Sequence, residues 1–190
     1  MATTKKRVST SVTDGSNRLI FDFSNPPQAE FWLLVNDVVM GGISSGTMVQ
    51  HSPKSALFTG VVSLEHGGGF ASVRTPPAEY NLRVFAGLTL LFKGDGKRYK
   101  LNLTDDQSGE VVLFQATFST TPKEWTEESF PFDRFIPMFR GRPVLDHPPL
   151  RTQSIKSFGL MISGKQSGEF SLEIAAIAAY CSTHSTNTKE

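Results

Sequence analysis

The chain has 190 residues, 38% of them hydrophobic and 11% aromatic, which is enough for one domain with a sizeable core. Nineteen basic residues stand against eighteen acidic ones, a net charge of +1, and no periodic segment carries a Lys/Arg stripe, so no nucleic-acid footprint is indicated. The single cysteine, Cys181, cannot close an internal disulfide, and no apolar run reaches the roughly 18 to 20 residues that span a bilayer.

Residues 1–17 mix basic and hydroxyl side chains with no apolar stretch of the secretory type, so they are expected to form a disordered arm. The same expectation holds for 182–190. Over 18–181, read as a single domain, the dominant signal is alternation of β-branched or aromatic residues with polar ones, bounded by Gly, Pro, Asp and Ser clusters. Strands are predicted at 18–23, 47–51, 56–65, 70–75, 87–93, 99–104, 111–119, 125–132, 155–163 and 169–178. Only 27–32, which opens at a Pro-Pro pair, and 133–135 read as short helical turns.

The alternation also sorts faces. Tyr99, Leu101 and Leu103 point one way and Arg98, Lys100 and Asn102 the other; Phe170, Leu172 and Ile174 likewise oppose Glu169, Ser171 and Glu173. Many short strands with turns between them, and no intervening helix of ten residues or more, define the fold class: all-β, a two-sheet sandwich or jelly roll.

Between these strands, "GDGKRY" reads as a hairpin with Asp95-Gly96 in a type I′ turn. "FPFDRFIPM" offers aromatics and a Met that, if exposed, could dock a partner, with Arg140 and Arg142 following in "FRGRPV". The stretch 137–152 reads as a long loop, functional or unstructured. Asp105 and Asp106 in "TDDQSG" read as turn residues bonding backbone amides.

Catalytic patterns are missing. His51, His66, His147 and His184 fall in four separate segments with no HxxxH or HExxH spacing, there is no GxSxG elbow, and adjacent Asp105 and Asp106 would point apart on a strand. No enzyme activity, metal site or cofactor is therefore expected; a structural calcium ion would have to use Asp37, Asp95 or Asp105/Asp106. A binding surface is the better prospect. The outward residues Ser72, Arg74, Arg98, Lys100, Asn102, Gln115 and Thr117 can hydrogen-bond a polypeptide or a glycan or other small polar ligand, against the simpler reading of a solvated sheet face. For stacking on sugars, Tyr99 and Phe114 fall on the core side, which leaves Trp32 and Trp125 as platforms.

"VNDVVMGGISSG", residues 35–46, suits a non-repetitive turn: Gly41 and Gly42 accept left-handed conformations, and Asp37 can cap freed amides. It lacks the Lys-Ser/Thr of a phosphate loop. The alternative is a turn that also presents Asp37 and Ser44 beside Arg74 as a binding rim.

In chain order, "VNDVVMGGISSG", "ALFTGVVSLEHGGGFASVR", "GLTLLFKGDGKRYKLNL", "FQATF", "WTEESFPFDRFIPMFRGRPV" and "IKSFGLMISGKQSGEFSLEI" resemble the CIA30 (complex I intermediate-associated protein 30) family from about residue 19 to 180. The resemblance implies a galactose-binding-like β-sandwich, in agreement with the alternation. It also implies an assembly or stabilising factor for a membrane-associated electron-transfer complex, complex I-like or photosynthetic, whose partners are protein subunits or assembly intermediates. Plant relatives join the domain to a dinucleotide-binding unit, but no strand–GxGxxG–helix run occurs here. With no secretory signal, the expected location is the cytoplasm, bacterial in the favoured case, or an organelle interior.

Overall fold

The structure, a computed structural model, describes residues 17–25, 28–35, 41–105 and 112–182. Its strands in chain order are β1 (Asn17–Asp22), β2 (Leu33–Leu34), β3 (Ser45–Ser52), β4 (Ser55–Val62), β5 (Ala71–Arg74), β6 (Gly87–Lys93), β7 (Arg98–Asp105), β8 (Leu113–Ser119), β9 (Trp125–Pro131), β10 (Ile136–Phe139), β11 (Arg142–Pro143), β12 (Ile155–Ile162) and β13 (Gly168–Tyr180). They form two sheets, and every strand pair is antiparallel. The first runs β3-β4-β13-β6-β9, with β1 added beside β13; the second runs β11-β10-β8-β7-β12-β5-β2.

Period two explains the layering. Leu88, Leu90 and Phe92 of β6 and Phe170, Leu172 and Ile174 of β13 meet Tyr99, Leu101 and Leu103 of β7, Phe114, Ala116 and Phe118 of β8, and Phe158, Leu160 and Ile162 of β12. Each of these is almost wholly removed from water, and each large side chain so buried contributes about 1.5–3 kcal/mol. Phe118 is a hub: its ring lies 4.8 Å from Phe92, 5.6 Å from Phe130 and 6.0 Å from Tyr99.

On β13 the alternation breaks once. The register shifts between Ile174 and Ala176, so inward positions change from even to odd numbers and Ile177 and Ala179 join the core. The bulge lets one edge of β13 serve two partners: β4 pairs with 168–174 and β1 with 176–180. The Ala175 carbonyl between them accepts the Phe23 amide at 3.0 Å.

Four expectations need correction. β6 and β7, joined by "GDGKRY", lie in different sheets, so the segment is a crossover between layers and not a hairpin. Only Gly96 of the pair has a positive φ, +94°, where a type I′ turn needs two. Trp32, 5% exposed, packs against Phe21 and Phe23 and offers no platform. The aromatics of "FPFDRFIPM" also turn inward: Phe130 is wholly buried, Phe135 is 5% exposed and Phe132 packs on the core. The stretch 137–152 is not one loop, because β10 and β11 pair through Met138/Pro143 and Phe139/Arg142. The two expected helical turns are 3-10 turns at Gln28–Phe31 and Phe132–Arg134.

Candidate functional site

The outer face of the second sheet gathers most of the outward polar residues. Pairing register sets Leu33 opposite Arg74, Arg74 opposite Gly159, Gly159 opposite Asn102, Asn102 opposite Gln115 and Gln115 opposite Ile136. These six residues form one row across β2, β5, β12, β7, β8 and β10. At about 4.8 Å per strand step, the row spans roughly 24 Å. A neighbouring row is Ser72, Met161, Lys100 and Thr117.

The centre of the first row is shaped by a missing side chain. A Cβ on Gly159 would lie 3.4 Å from the Asn102 Cβ, 3.6 Å from the Arg74 Cβ and 3.1 Å from the Val73 carbonyl oxygen. Glycine therefore lets the stems of the Asn102 and Arg74 side chains approach across a buried backbone with no side chain between them. Asn102 is 5% exposed, and its Oδ1 is buried without a hydrogen-bond partner. Such an orphan acceptor is disfavoured by roughly 1–3 kcal/mol relative to a satisfied one, so native structures rarely keep it without a use. Gln115, 7% exposed, reaches only the Met161 sulfur, from Nε2 at 3.8 Å.

Charge on this face is one-sided. Arg74, Arg98 and Lys100 lie on it, none forms an ion pair with a described acidic residue, and no carboxylate occupies a described position of the two rows. Burial pushes the Lys100 ammonium below its ordinary pKa. The outer face of the first sheet carries Glu127, Glu169 and Glu173 against Lys93. There Glu173 accepts a 2.6 Å hydrogen bond from the Ser55 hydroxyl and pairs with Lys93, which also sits over the Trp125 ring at 5.1 Å.

Other candidate residues are spread out. Arg98 shares the face at the start of β7, where its backbone bonds Gln166. Arg140 and Arg142 belong to the β10–β11 hairpin at one sheet edge, with Arg140 at φ +47° and its guanidinium 5.1 Å from the Phe139 ring centroid. Ser44 is 2% exposed; its hydroxyl donates to the Ser63 carbonyl at 3.2 Å and accepts the Ser63 amide at 3.0 Å. Those bonds tie the segment to the end of β4, so the hydroxyl is no part of a solvent-facing rim. Asp37 and Asp106 lie outside the described residues. Asp95 accepts the amides of Lys97 and Ser171, each at 3.0 Å, and Asp105 accepts the Arg151 amide at 2.9 Å. Among the described residues, no group of three or more His, Cys, Asp or Glu could hold a metal ion.

Sequence alternation alone does not assign Leu33, Gly159, Met161 and Ile136 to this face. A glycine inside the alternating run "IKSFGLMI" is the available signal for that approach, because a strand interior disfavours glycine unless something approaches closely.

Comparison with known proteins accounts for the architecture. The family described as Complex I intermediate-associated protein 30 (CIA30) matches residues 21–174. A Schizosaccharomyces pombe protein described as uncharacterized is 31% identical over 165 residues, covering 76% of this chain and 75% of its own length. The mouse protein "Complex I intermediate-associated protein 30, mitochondrial" is 26% identical over 193 residues, covering 91% of this chain but 58% of that protein. Among solved structures, the family 11 carbohydrate-binding module of the Clostridium thermocellum cellulase Lic26A-Cel5E has a TM-score of 0.68 at 12% identity, over 90% of this chain and 97% of the module. A family 11 module from the same organism, solved with a β-1,3-1,4-mixed-linked tetrasaccharide, gives 0.64 at 13% identity over 90% and 98%. At such identities the modules establish a shared β-sandwich fold and nothing about ligands. The family match over most of the sandwich, and the relative above 30% identity, place this chain in the CIA30 family.

Proposed function

We propose that the chain is a non-catalytic factor that binds protein subunits or assembly intermediates of a membrane-associated electron-transfer complex, complex I-like or photosynthetic. The observation that carries this reading is the family match across residues 21–174. The chain spans 58% of the mouse relative and 55% of the Caenorhabditis briggsae one, so what those whole proteins do comes here as a proposal. The outer face of the second sheet is the surface best suited to holding a partner, being cationic, rich in hydrogen-bonding groups and endowed with an unmet acceptor. No described helix is long and apolar enough to cross a membrane, and the proposed place of action is an organelle interior or the cytoplasm at a membrane surface.

The test is affinity purification from the native cell at modest salt, with Arg74→Ala in parallel. Recovery of complex subunits with the wild type, reduced with the variant while the melting curve is unchanged, supports the reading; no stable partner sinks it. A second reading, a module for carbohydrate or another polyol, is favoured by the unsatisfied Asn102 Oδ1, which would accept a sugar hydroxyl. Saturable binding on a glycan array that Asn102→Ala abolishes would establish it.

A further inference from the structure

We infer that the row Leu33–Arg74–Gly159–Asn102–Gln115–Ile136 receives an extended acidic peptide segment of a partner protein, with apolar side chains at both ends. This rests on the protein-binding reading above and names the chemistry of what is bound.

Length comes first. A span of roughly 24 Å equals about seven residues of extended chain at ~3.3–3.4 Å per residue. The ends of the row are apolar and open: Leu33 is 49% exposed and Ile136 55%. Each suits one aliphatic side chain of a segment lying across the strands.

The middle of the row asks for two different groups. Arg74, with Lys100 in the adjacent row, offers cations that no described carboxylate neutralises, and Lys100 is partly withdrawn from water. An acidic side chain would meet both the charge and the fork geometry of the guanidinium. Asn102 Oδ1, by contrast, needs a donor. A carboxylate alone cannot supply one, but the N–H groups of a peptide can. Gly159, itself buried, sets no side chain between Asn102 and Arg74.

A glycan fits less well. No aromatic side chain occupies a described position on these rows: Tyr99, Phe114 and Phe158 face the core and Trp32 is buried, so sugar rings find no stacking plane. A second copy of the chain, docking its Glu-bearing first sheet here, would bring Glu173 already engaged by Lys93 and Ser55.

The experiment uses the full chain and an array of heptapeptides with Leu at both ends and Asp or Glu at the three central positions. The same array with Asn and Gln isolates charge. Neutral and uronic-acid oligosaccharides form a third arm, and sedimentation of the chain alone tests self-association. We expect acidic peptides to bind at least ten times more tightly than their amide counterparts, with affinity falling as salt rises. Arg74→Gln and Asn102→Leu should each weaken binding tenfold or more.

Asn102→Leu replaces an orphan acceptor by an apolar group, so it should leave the melting temperature unchanged or raised while removing binding; a merely structural asparagine would not separate the two. Equal binding of acidic and amide peptides, indifference to Arg74→Gln, binding of oligosaccharides alone, or self-association lost in Arg74→Gln would each overturn the inference. If native subunits are still captured by Asn102→Leu and Arg74→Gln, assembly binding stands and this site for it falls. If no subunit is captured but acidic peptides bind as stated, the reverse holds.

Discussion

Replacing Glu173 by glutamine tests whether the charge buried on the outer face of the first sheet stabilises the fold. The side chain is 10% exposed, accepts a 2.6 Å bond from Ser55 and pairs with Lys93, itself 32% exposed. Burial alone would raise its pKa, but hydrogen bonds from Lys93 and Ser55 and the charges of Lys93 and His51 outweigh it, leaving the carboxyl below the usual glutamate value. Glutamine keeps the shape and one acceptor for Ser55. What is lost is charge: part of a charge-assisted bond worth about 1.5–3 kcal/mol, and a solvent-screened ion pair of about 0.2–1 kcal/mol. Glu173→Gln should therefore cost about 1–2 kcal/mol at pH 7, or roughly 2–8 °C in Tm for a domain of this size. A depressed carboxyl pKa contributes stability that is present above the unfolded value, about 4.3, and lost as pH falls through the folded one. The gap between wild type and variant should thus close towards pH 3. Urea titrations at pH 7, 5 and 3 measure it. A gap of the same size at pH 7 and pH 3, or none at pH 7, would refute the reasoning.

Other outcomes follow from the core and the turns. Phe118→Ala removes the ring that Phe92, Phe130 and Tyr99 share and should cost about 3–5 kcal/mol by denaturant titration. Gly96→Ala forces a side chain onto a backbone at φ +94°, with its Cβ 3.0 Å from Pro122 Cγ; a loss of about 1–3 kcal/mol should appear in the melting curve. All three tyrosines, Tyr80, Tyr99 and Tyr180, have pKa values raised first by burial, aided at Tyr99 by Asp95 and at Tyr180 by Asp133. Their stabilising contribution is full below the unfolded tyrosine pKa of about 10 and is lost as pH rises through the folded values. Native chains should accordingly ionise tyrosine at higher pH than urea-unfolded ones in an ultraviolet titration.

Alternation makes most of the sheets legible. The run Gly87–Lys93 has the same bounds in sequence and structure, because a buried apolar residue follows every half-exposed one. Two-residue β2 and β11 are too short to show any period. The crossover at Asp95-Gly96 reads as a hairpin in sequence because turn residues encode a local bend, whereas the choice of sheet is made by distant partners such as β13 and β12. Trp32 reads as an open platform for a related reason: the aromatic side chains that bury it, Phe21 and Phe23, lie on β1 and just after it, outside the segment that holds the tryptophan. The face itself is half legible. Alternation puts Arg74, Asn102 and Gln115 outward, but that they stand in one row, with Gly159 between two of them, depends on inter-strand register.

The bulged strand β13 has a consequence for how the chain acquires its fold. It lies between β4 and β1 on one side and β6 on the other, so the first sheet has no centre until residues 168–180 are available. Pairing Asn17 with Tyr180 closes a loop across nearly all the described residues, the kind of non-local contact that slows folding. A nascent chain stopped before residue 168 would expose the long edges of β4 and β6 and the apolar faces beneath them, as an invitation to chaperones or to aggregation. Completion of this sandwich thus waits on residues 168–180, and substitutions near Ala175 should be felt first in the yield of folded protein.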